Sequence, residues 1–286
     1  MSSCRIVILL ISLSVNVTAQ ELPDFLRQSF NVKAITSRAY NSLGVSLGSE
    51  GNIIYVSDKP KVPFQIKSSY KPFIYDLAEN KSSRMPTKNL CEIDNQKYNV
   101  AGICTDDSST FMIAAVNDIS INDFMAESRV TLVHIDLSYG FSQCATPPFV
   151  QLGYTYTQPY YDSQTGYLYF ASNMPGGKGG LDIYRVKRTG PNKWDNIESI
   201  DEINTPNNDV YPFIDNQGYL YYSTLTPKSG YDVFCWIDEG SPTRLGSTVN
   251  SRVDDFNFVK INDKDAMVVR SSSQANSTVI YRLLAF

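Results

Sequence analysis

One sequence unit occurs twice in the middle of the chain, and it restricts the fold more than any other feature. Each copy contains an apolar run, a turn with a glycine, a tyrosine-rich run, a loop and a third run. The copies occupy 158–186 and 211–236, and their turn glycines, Gly166 and Gly218, are 52 residues apart. A period of about 40–50 residues with three or four short strands is typical of the blades of a β-propeller.

The same strand–turn–strand order recurs before and after this doublet, which predicts an all-β chain with a five-bladed β-propeller fold. No segment of the chain has a sustained helical period. The predicted blades span 42–92, 98–152, 158–200, 210–247 and 256–284. A six-bladed ring stays open as an alternative, if 21–45 and 137–157 contain a further unit.

The two ends of the chain predict how the ring closes. The last unit has no residues left for a fourth strand, whereas the pattern of residues 30–36 predicts a strand that has no partner in the first unit. A blade with an unpaired outer edge would expose backbone hydrogen-bonding groups. We therefore predict that 30–36 supplies the outer strand of the last blade, within a single domain that spans 20–286.

Residues 1–19 are typical of a secretory signal peptide. Arg5 precedes the apolar core 6–15, and Val17-Thr18-Ala19 has the small-residue pattern of a cleavage site. No later stretch is long and apolar enough to span a membrane. We therefore expect an exported protein of the periplasm or outer membrane, with no transmembrane span in the mature chain.

The cysteines bear on the same expectation, because export permits disulfides. The predicted mature chain keeps Cys91, Cys104, Cys144 and Cys235. Four cysteines allow three complete pairings, and the sequence does not choose among them. Two disulfides and four separate thiols both stay open, while the spacings do not fit a zinc site.

Composition argues against several classes of function. The formal net charge is −4, whereas a nucleic-acid-binding protein needs a basic patch to neutralise phosphates. The only histidine, His134, lies in the apolar run 130–135. Gly44-Val45-Ser46-Leu47-Gly48 therefore lacks the histidine and the following helix that a serine-hydrolase motif requires. No cofactor is expected, with Ca²⁺ as the one alternative.

Part of the doublet resembles a known family of repeats. Tyr169-Phe170-Ala171-Ser172-Asn173, followed by the 175–184 sequence Pro-Gly-Gly-Lys-Gly-Gly-Leu-Asp-Ile-Tyr, resembles the WD40-like, Pro-Asp type repeat of TolB-type propellers. Asn204-Thr205-Pro206 fits the same pattern. This form is similar to repeats in Bacteroidetes envelope proteins, where an OmpA-like domain often accompanies it. Together with the signal segment and the lack of a catalytic constellation, the repeats predict a non-catalytic binding or scaffold propeller that contacts outer-membrane or secretion-machinery proteins.

The loops that lead into the predicted innermost strands are rich in asparagine and aspartate. Such a face is suited to a protein partner, a glycan or Ca²⁺, although the same residue types also form ordinary turns. We predict a binding surface at this mouth of the channel. Its candidate residues are Asn173, Lys178, Asn204, Asn208, Asp209, Asn250, Asp254 and Asp255.

A glycoside hydrolase is the alternative function, since five-bladed propellers also host such enzymes. Two carboxyl groups about 5–9.5 Å apart in one closed pocket would favour it, whereas carboxylates spread around a rim would favour binding. The candidate acids and bases are Asp106, Asp162, Asp209, Asp215 and Asp255.

Overall fold

The computed structural model describes 23–48, 51–60, 69–87, 90, 98–118, 130–137, 143–237, 240–272 and 277–286. Within these ranges a short 3₁₀ helix, Asp24–Arg27, precedes a series of strands that form five small antiparallel sheets. The predicted signal peptide lies outside the described residues. No helix in the described part of the chain has the length and apolarity of a membrane span.

The five sheets are the blades of one propeller, which confirms the predicted all-β, five-bladed fold. The first blade contains β2 (Ser42–Leu47), β3 (Ile53–Ser57), β4 (Lys71–Asp76) and β5 (Lys81–Arg84). The second contains β6 (Tyr98–Thr105), β7 (Phe111–Asp118), β8 (Val130–Asp136) and β9 (Gln143–Ala145). The third contains β10 (Tyr156–Asp162), β11 (Tyr167–Ser172), β12 (Asp182–Gly190), β13 (Lys193–Trp194) and β14 (Glu198–Ser199).

The last two blades complete the ring. The fourth contains β15 (Asp209–Ile214), β16 (Leu220–Thr226), β17 (Gly230–Trp236) and β18 (Thr243–Arg244). The fifth contains β19 (Asp255–Asn262), β20 (Asp265–Ser272), β21 (Ser277–Ala285) and the N-terminal strand β1 (Phe30–Ala34). The innermost strands β2, β6, β10, β15 and β19 each contact the next one around the ring, and β19 contacts β2.

The N-terminal strand closes the ring, as the sequence predicts. β1 pairs antiparallel with β21, from Phe30 opposite Ala285 to Ala34 opposite Tyr281. The preceding 3₁₀ helix buries Phe25, whose ring centroid lies 4.8 Å from that of Phe30. The closure therefore combines strand pairing with aromatic packing onto the core of the fifth blade.

The tyrosine-rich second strands are buried on both faces because each blade packs between two others. In β11, Leu168 and Phe170 face the second blade, where they join Phe111 in one cluster. Tyr169, on the opposite face of the same strand, packs with Tyr222 of the fourth blade. Alternate side chains of one strand thus belong to different cores.

The innermost strands share a β-bulge at the level where they come closest. Four bulge residues have a left-handed backbone, with φ of 65° at Gly44, 53° at Gln158, 55° at Tyr211 and 52° at Asn257. The register also shifts in β6, between Val100 and Gly102. Bulges bend the strand and turn its side chains, here toward the neighbouring blade.

Polar bonds between bulges join neighbouring blades. The Asn257 Oδ1 atom accepts a 2.5 Å hydrogen bond from Val45 N, and its Nδ2 donates to Val45 O at 3.0 Å, which links the fifth blade to the first. Gln158 Oε1 accepts from Tyr211 N at 3.1 Å, which links the third blade to the fourth. At Gly44 a Cβ atom would lie 2.9 Å from Ala101 O of the second blade, so glycine is required there.

The cysteines follow neither of the two alternatives that the sequence leaves open. Cys104 and Cys235 are buried free thiols, and Cys144 is disulfide-bonded. Burial raises the pKa of the Cys235 thiol to about 12, so this cysteine is an uncharged core residue at neutral pH. Cys91 lies outside the described residues.

Deleting residues 21–40 should strongly destabilise the protein. The deletion removes β1 and the buried Phe25 and Phe30 side chains, and we expect the free energy of unfolding to fall by at least about 3 kcal/mol. Chemical denaturation followed by circular dichroism measures the loss. Lys33→Ala in the exposed part of β1 is the control, with an expected change below about 0.5 kcal/mol. Equal stability of the deleted and complete chains would contradict the role of β1.

Candidate functional site

A cavity of about 180 Å³ lies on the axis of the ring. It is lined by the C-terminal ends of all five innermost strands and the turns that follow them, and we call it the central cavity. Tyr160 and Phe213 contribute to its lining together with Asp106, Asp162 and Asp215. Its opening is termed the C-terminal mouth, and the opposite opening of the ring the N-terminal mouth.

The ring of bulges narrows the axis next to the central cavity. At that level the five innermost strands leave a space of about 20 Å³, lined by Gly44, Gly102, Gln158, Tyr211 and Asn257 among others. This volume is sufficient for about one water molecule. A larger ligand therefore enters the central cavity from the C-terminal mouth and cannot pass through the ring.

Three aspartates of the central cavity occupy equivalent positions, each at the end of an innermost strand or directly after it. Asp106 Oδ1 accepts hydrogen bonds from Thr110 N at 2.7 Å and Phe111 N at 3.1 Å, and its Oδ2 accepts from Thr110 Oγ1 at 2.6 Å. Asp162 Oδ1 accepts from Gln164 N at 3.0 Å, and its Oδ2 accepts from Thr165 Oγ1. These bonds to the turn that follows each strand hold both carboxylates in one orientation, and the Asp162 bond to Gln164 N is an Asx turn.

Asp215 has the same turn role and also takes part in a buried ion pair. Its Oδ1 accepts from Gln217 N and Tyr219 N, both at 3.0 Å. Its Oδ2 lies 3.2 Å from Lys260 Nζ, and both side chains are 2% exposed. Lys260 Nζ also contacts Asp263 Oδ1 at 3.1 Å. Lys260 is therefore neutralised by two carboxylates.

Tyr160 lies between the central cavity and the ring of bulges. Its hydroxyl donates to Ile214 O at 2.7 Å, and its ring meets Phe213 edge to face at 5.0 Å. Burial raises the pKa of Tyr160 well above its ordinary value, and Asp162, Asp107 and other acidic groups add to the effect. The hydroxyl is therefore neutral at physiological pH and lies in a negative potential.

The sequence-predicted binding residues lie at the N-terminal mouth, away from the central cavity, and four of them join blades. Asn204 Oδ1 accepts from Ile183 N at 2.8 Å, and its Nδ2 donates to Ile183 O at 2.9 Å. Asn250 makes the same pair of bonds to Val233, at 2.7 and 2.9 Å. In both cases the side-chain amide hydrogen-bonds the N–H and C=O groups of one residue in the third strand of the preceding blade.

Asn208 and Asp254 form a second pair of equivalent contacts. Asn208 Oδ1 accepts from Leu181 N at 2.9 Å, and Asp254 Oδ1 accepts from Tyr231 N at 3.0 Å. A Cβ atom at Gly230 would collide with the Asp254 carboxylate. A Cβ atom at Gly180 would collide with Asn208 in the same way, so a glycine meets a polar side chain of the next loop at both blade boundaries.

The other predicted residues at this mouth are also hydrogen-bonded within the chain. Asp209 and Asp255 are fully buried, with Asp209 Oδ2 accepting from Thr205 N at 2.5 Å and Asp255 Oδ1 from Arg270 Nε at 2.6 Å. Asn173 Oδ1 accepts from Thr155 N at 2.8 Å, and Lys178 Nζ donates to Asp201 O at 2.6 Å. Asn173 and Lys178 are the two exposed members of the set. A binding role for these eight residues stays a prediction.

The carboxylates considered for glycoside hydrolysis are divided between the two mouths. Asp106, Asp162 and Asp215 line the central cavity, whereas Asp209 and Asp255 begin β15 and β19 at the other end of the axis. Burial raises the pKa of both Asp209 and Asp255, but neither lines the central cavity. Within the described residues, no three acidic, cysteine or histidine side chains are grouped closely enough to hold a metal ion.

Sequence reasoning did not identify Tyr160, Asp107 and Lys260 as residues of this site. A signal was present, because an aspartate occurs after the first strand of three successive units, at 106, 162 and 215. Turn residues of this kind are common, and the sequence does not show that the first strands of all five units converge on one axis.

Comparison with known proteins supports the fold and leaves the activity open. No protein-family profile and no curated protein matches this sequence. A glycoside hydrolase structure has 8% identity and a TM-score of 0.56, with 89% of this chain and 90% of that chain covered. Zg3597, a family 117 glycoside hydrolase from Zobellia galactanivorans, has 9% identity and a TM-score of 0.50, with 91% of each chain covered.

TolB from Acinetobacter baumannii is also similar, with 13% identity and a TM-score of 0.48. The match covers 88% of this chain and 56% of the TolB chain, so this chain spans little more than half of TolB. The two glycoside hydrolase structures, with TM-scores of 0.56 and 0.50, share the fold of this chain, and at identities of 8% and 9% the likeness extends to the fold alone.

Asn204→Ala should destabilise the protein, because Ile183 N and Ile183 O would both lose a buried partner. We expect the free energy of unfolding to fall by about 2–4 kcal/mol, as measured by urea denaturation. Asn207→Ala is the matched control, since Asn207 contributes only backbone atoms to the hydrogen bonds of the described region. A loss below about 0.5 kcal/mol for Asn204→Ala would show that the amide is not needed between the blades.

The raised pKa of Asp209 predicts a specific pH dependence of stability. The folded state binds the Asp209 proton more tightly than the unfolded state, because burial disfavours the carboxylate. The contribution is complete below the unfolded pKa and is lost as the pH rises through the folded pKa. We therefore expect the wild-type protein to lose stability relative to Asp209→Asn as the pH rises from about 4. Urea denaturation across pH 4–8 tests this, and parallel curves would contradict it.

Proposed function

We propose that this protein is a non-catalytic binding propeller, exported to a bacterial cell envelope, whose C-terminal mouth contacts a protein partner of the outer membrane or a secretion machinery. One observation supports the proposal that the function is binding without catalysis. Both oxygens of Asp106, Asp162 and Asp215 accept hydrogen bonds from their own blade or from Lys260.

This arrangement suits binding better than acid–base catalysis. A glycosidase needs one carboxyl that protonates the leaving group and a second that attacks the sugar or activates water. Carboxylates bound by hairpin N–H and O–H groups are immobile acceptors. They form a rigid acceptor surface, which lowers the ordering cost of association.

Three further observations support the location. Residues 1–19 have the pattern of a secretory signal peptide. Cys144 is disulfide-bonded, and disulfides persist in oxidising compartments such as the periplasm. The 169–184 segment resembles repeats of envelope propellers. Together they favour an exported protein.

A glycoside hydrolase is the second candidate, and the composition of the central cavity favours it. Asp106, Asp107, Asp162 and Asp215 line one cavity together with Tyr160 and Phe213. Asp107 is exposed, and no hydrogen bond of the described region ends on its carboxylate. It is the group in this cavity that is best placed to act on a ligand from the rim.

Affinity capture combined with activity assays decides between the two candidates. The folded protein, immobilised through its C-terminus, should enrich the same partner from repeated envelope extracts of the source organism, while heat-unfolded protein should not. The same preparation should show no hydrolysis of a panel of aryl glycosides and plant or algal oligosaccharides. Turnover that is lost in Asp107→Asn or Asp162→Asn, with no reproducible partner, would replace the binding function by the glycosidase.

A further inference from the structure

The charges that line the central cavity are unbalanced. Four aspartates and one lysine belong to its lining. The lysine, Lys260, is engaged by Asp215 at 3.2 Å and Asp263 at 3.1 Å. Among the described residues, no lysine or arginine forms an ion pair with Asp106, Asp107 or Asp162. The cavity therefore keeps three carboxylates without a cationic partner.

The deep end of the cavity combines aromatic rings with this negative potential. Tyr160 and Phe213 line both the central cavity and the narrow space at the bulges. Tyr161 also belongs to the lining. The effect of Asp162 and Asp107 on the pKa of Tyr160 indicates that the potential reaches this depth. Aromatic faces attract cations, so both parts of the lining favour the same class of ligand.

The carboxylates need no rearrangement to receive a cation. Asp162 is 7% exposed, and its two hydrogen bonds use about half of the lone-pair positions of a carboxylate. The Asp106 carboxylate is also held by bonds to the turn that follows it. At the rim, no hydrogen bond of the described residues ends on the Asp107 carboxylate. A bound cation would thus gain charge-assisted hydrogen bonds without the entropy cost of ordering these side chains.

Size and donor geometry restrict the cation further. Typical small-molecule pockets measure about 300–1,000 Å³, whereas this cavity measures about 180 Å³ and is closed by the bulges at its deep end. That volume suits the head of one long side chain. No three carboxylates, cysteines or histidines of the described residues are arranged for a metal ion, so a polyatomic cation with several N–H donors fits better.

We propose that the central cavity receives the cationic head of an arginine or lysine side chain that the protein partner presents at the C-terminal mouth. This inference rests on the proposed binding function. Asp106, Asp107 and Asp162 accept the N–H groups of the cation, and the rings of Tyr160 and Phe213 pack against its apolar stem. The partner is thus recognised by one deeply inserted basic residue.

Charge-matched probes test the chemistry directly. N-acetyl-arginine amide and N-acetyl-lysine amide should each cause saturable chemical-shift changes in the turns that follow Asp106 and Asp162. N-acetyl-citrulline amide, which has the shape of the arginine probe without its charge, should not. Equal binding of the arginine and citrulline probes, or absence of binding by both cationic probes, would overturn the inference.

Variants that keep the turns separate a specific effect from unfolding. In the fifth blade Asn262 fills the equivalent turn position, and its Oδ1 accepts from Lys264 N at 2.9 Å. The double variant Asp106→Asn, Asp162→Asn should therefore retain its melting temperature. It should bind the cationic probes about tenfold more weakly, because it lacks two charged acceptors. Unchanged affinity would count against the inference.

Asp76→Asn is the matched control for this variant. Asp76 Oδ1 accepts from Ala78 N at 2.8 Å and Glu79 N at 2.9 Å in an equivalent turn outside the cavity, so its probe affinity should equal that of the wild-type protein. Capture of the envelope partner by the double variant distinguishes the proposed binding function from the cation inference. If the double variant retains the partner as well as the wild-type protein does, the binding function stands and the cation inference fails. If no partner and no probe binds, both fail.

Discussion

The fold depends on the contact between neighbouring innermost strands, where the backbones of five blades approach one axis. Each innermost strand pairs with the second strand of its own blade and also contacts the innermost strand of the next blade. A bulge in each innermost strand bends the backbone and turns its side chains toward that neighbour. The contact that the bulge residue makes with the neighbouring blade differs from blade to blade. Asn257 and Gln158 bond to the next backbone, Tyr211 stacks on Phe256, and Gly44 makes room for Ala101.

These contacts also determine where a ligand can bind. The bulges close the axis next to the central cavity. On the N-terminal side, the described loops 204–208 and 250–254 use their polar side chains to join blades. Asn204 and Asn250 each satisfy both backbone groups of one residue in the preceding blade. At the C-terminal mouth the strands end in short turns, and the space between them stays open. The carboxylates of Asp106 and Asp162 meet there because five strands converge.

Much of the architecture was predictable because it repeats. The tyrosine-rich strands and turn glycines recur with the period of a blade, and burial on both faces explains why these strands are almost continuously apolar. The place of the N-terminal strand was predictable from the number of strands in each unit, since the last unit was one strand short and residues 30–36 formed a predicted strand outside any unit. Asn204 and Asn250 were predicted from the sequence as candidate binding residues, but a sequence does not distinguish an amide that binds a ligand from one that bonds a neighbouring blade.

The sequence by itself determined the all-β class, the strand order within a blade and the closure by β1, because hydrophobic period and turn chemistry are local properties that each unit carries. The choice between five and six blades came from the structure. Only the tertiary structure decided which side chains line the central cavity and which of its described charges lack an ion-pair partner. Asp162 and Lys260 are almost a hundred residues apart in the chain, and both line one cavity only after the ring has closed. Their shared environment is a long-range property, since it depends on the closure of all five blades around one axis.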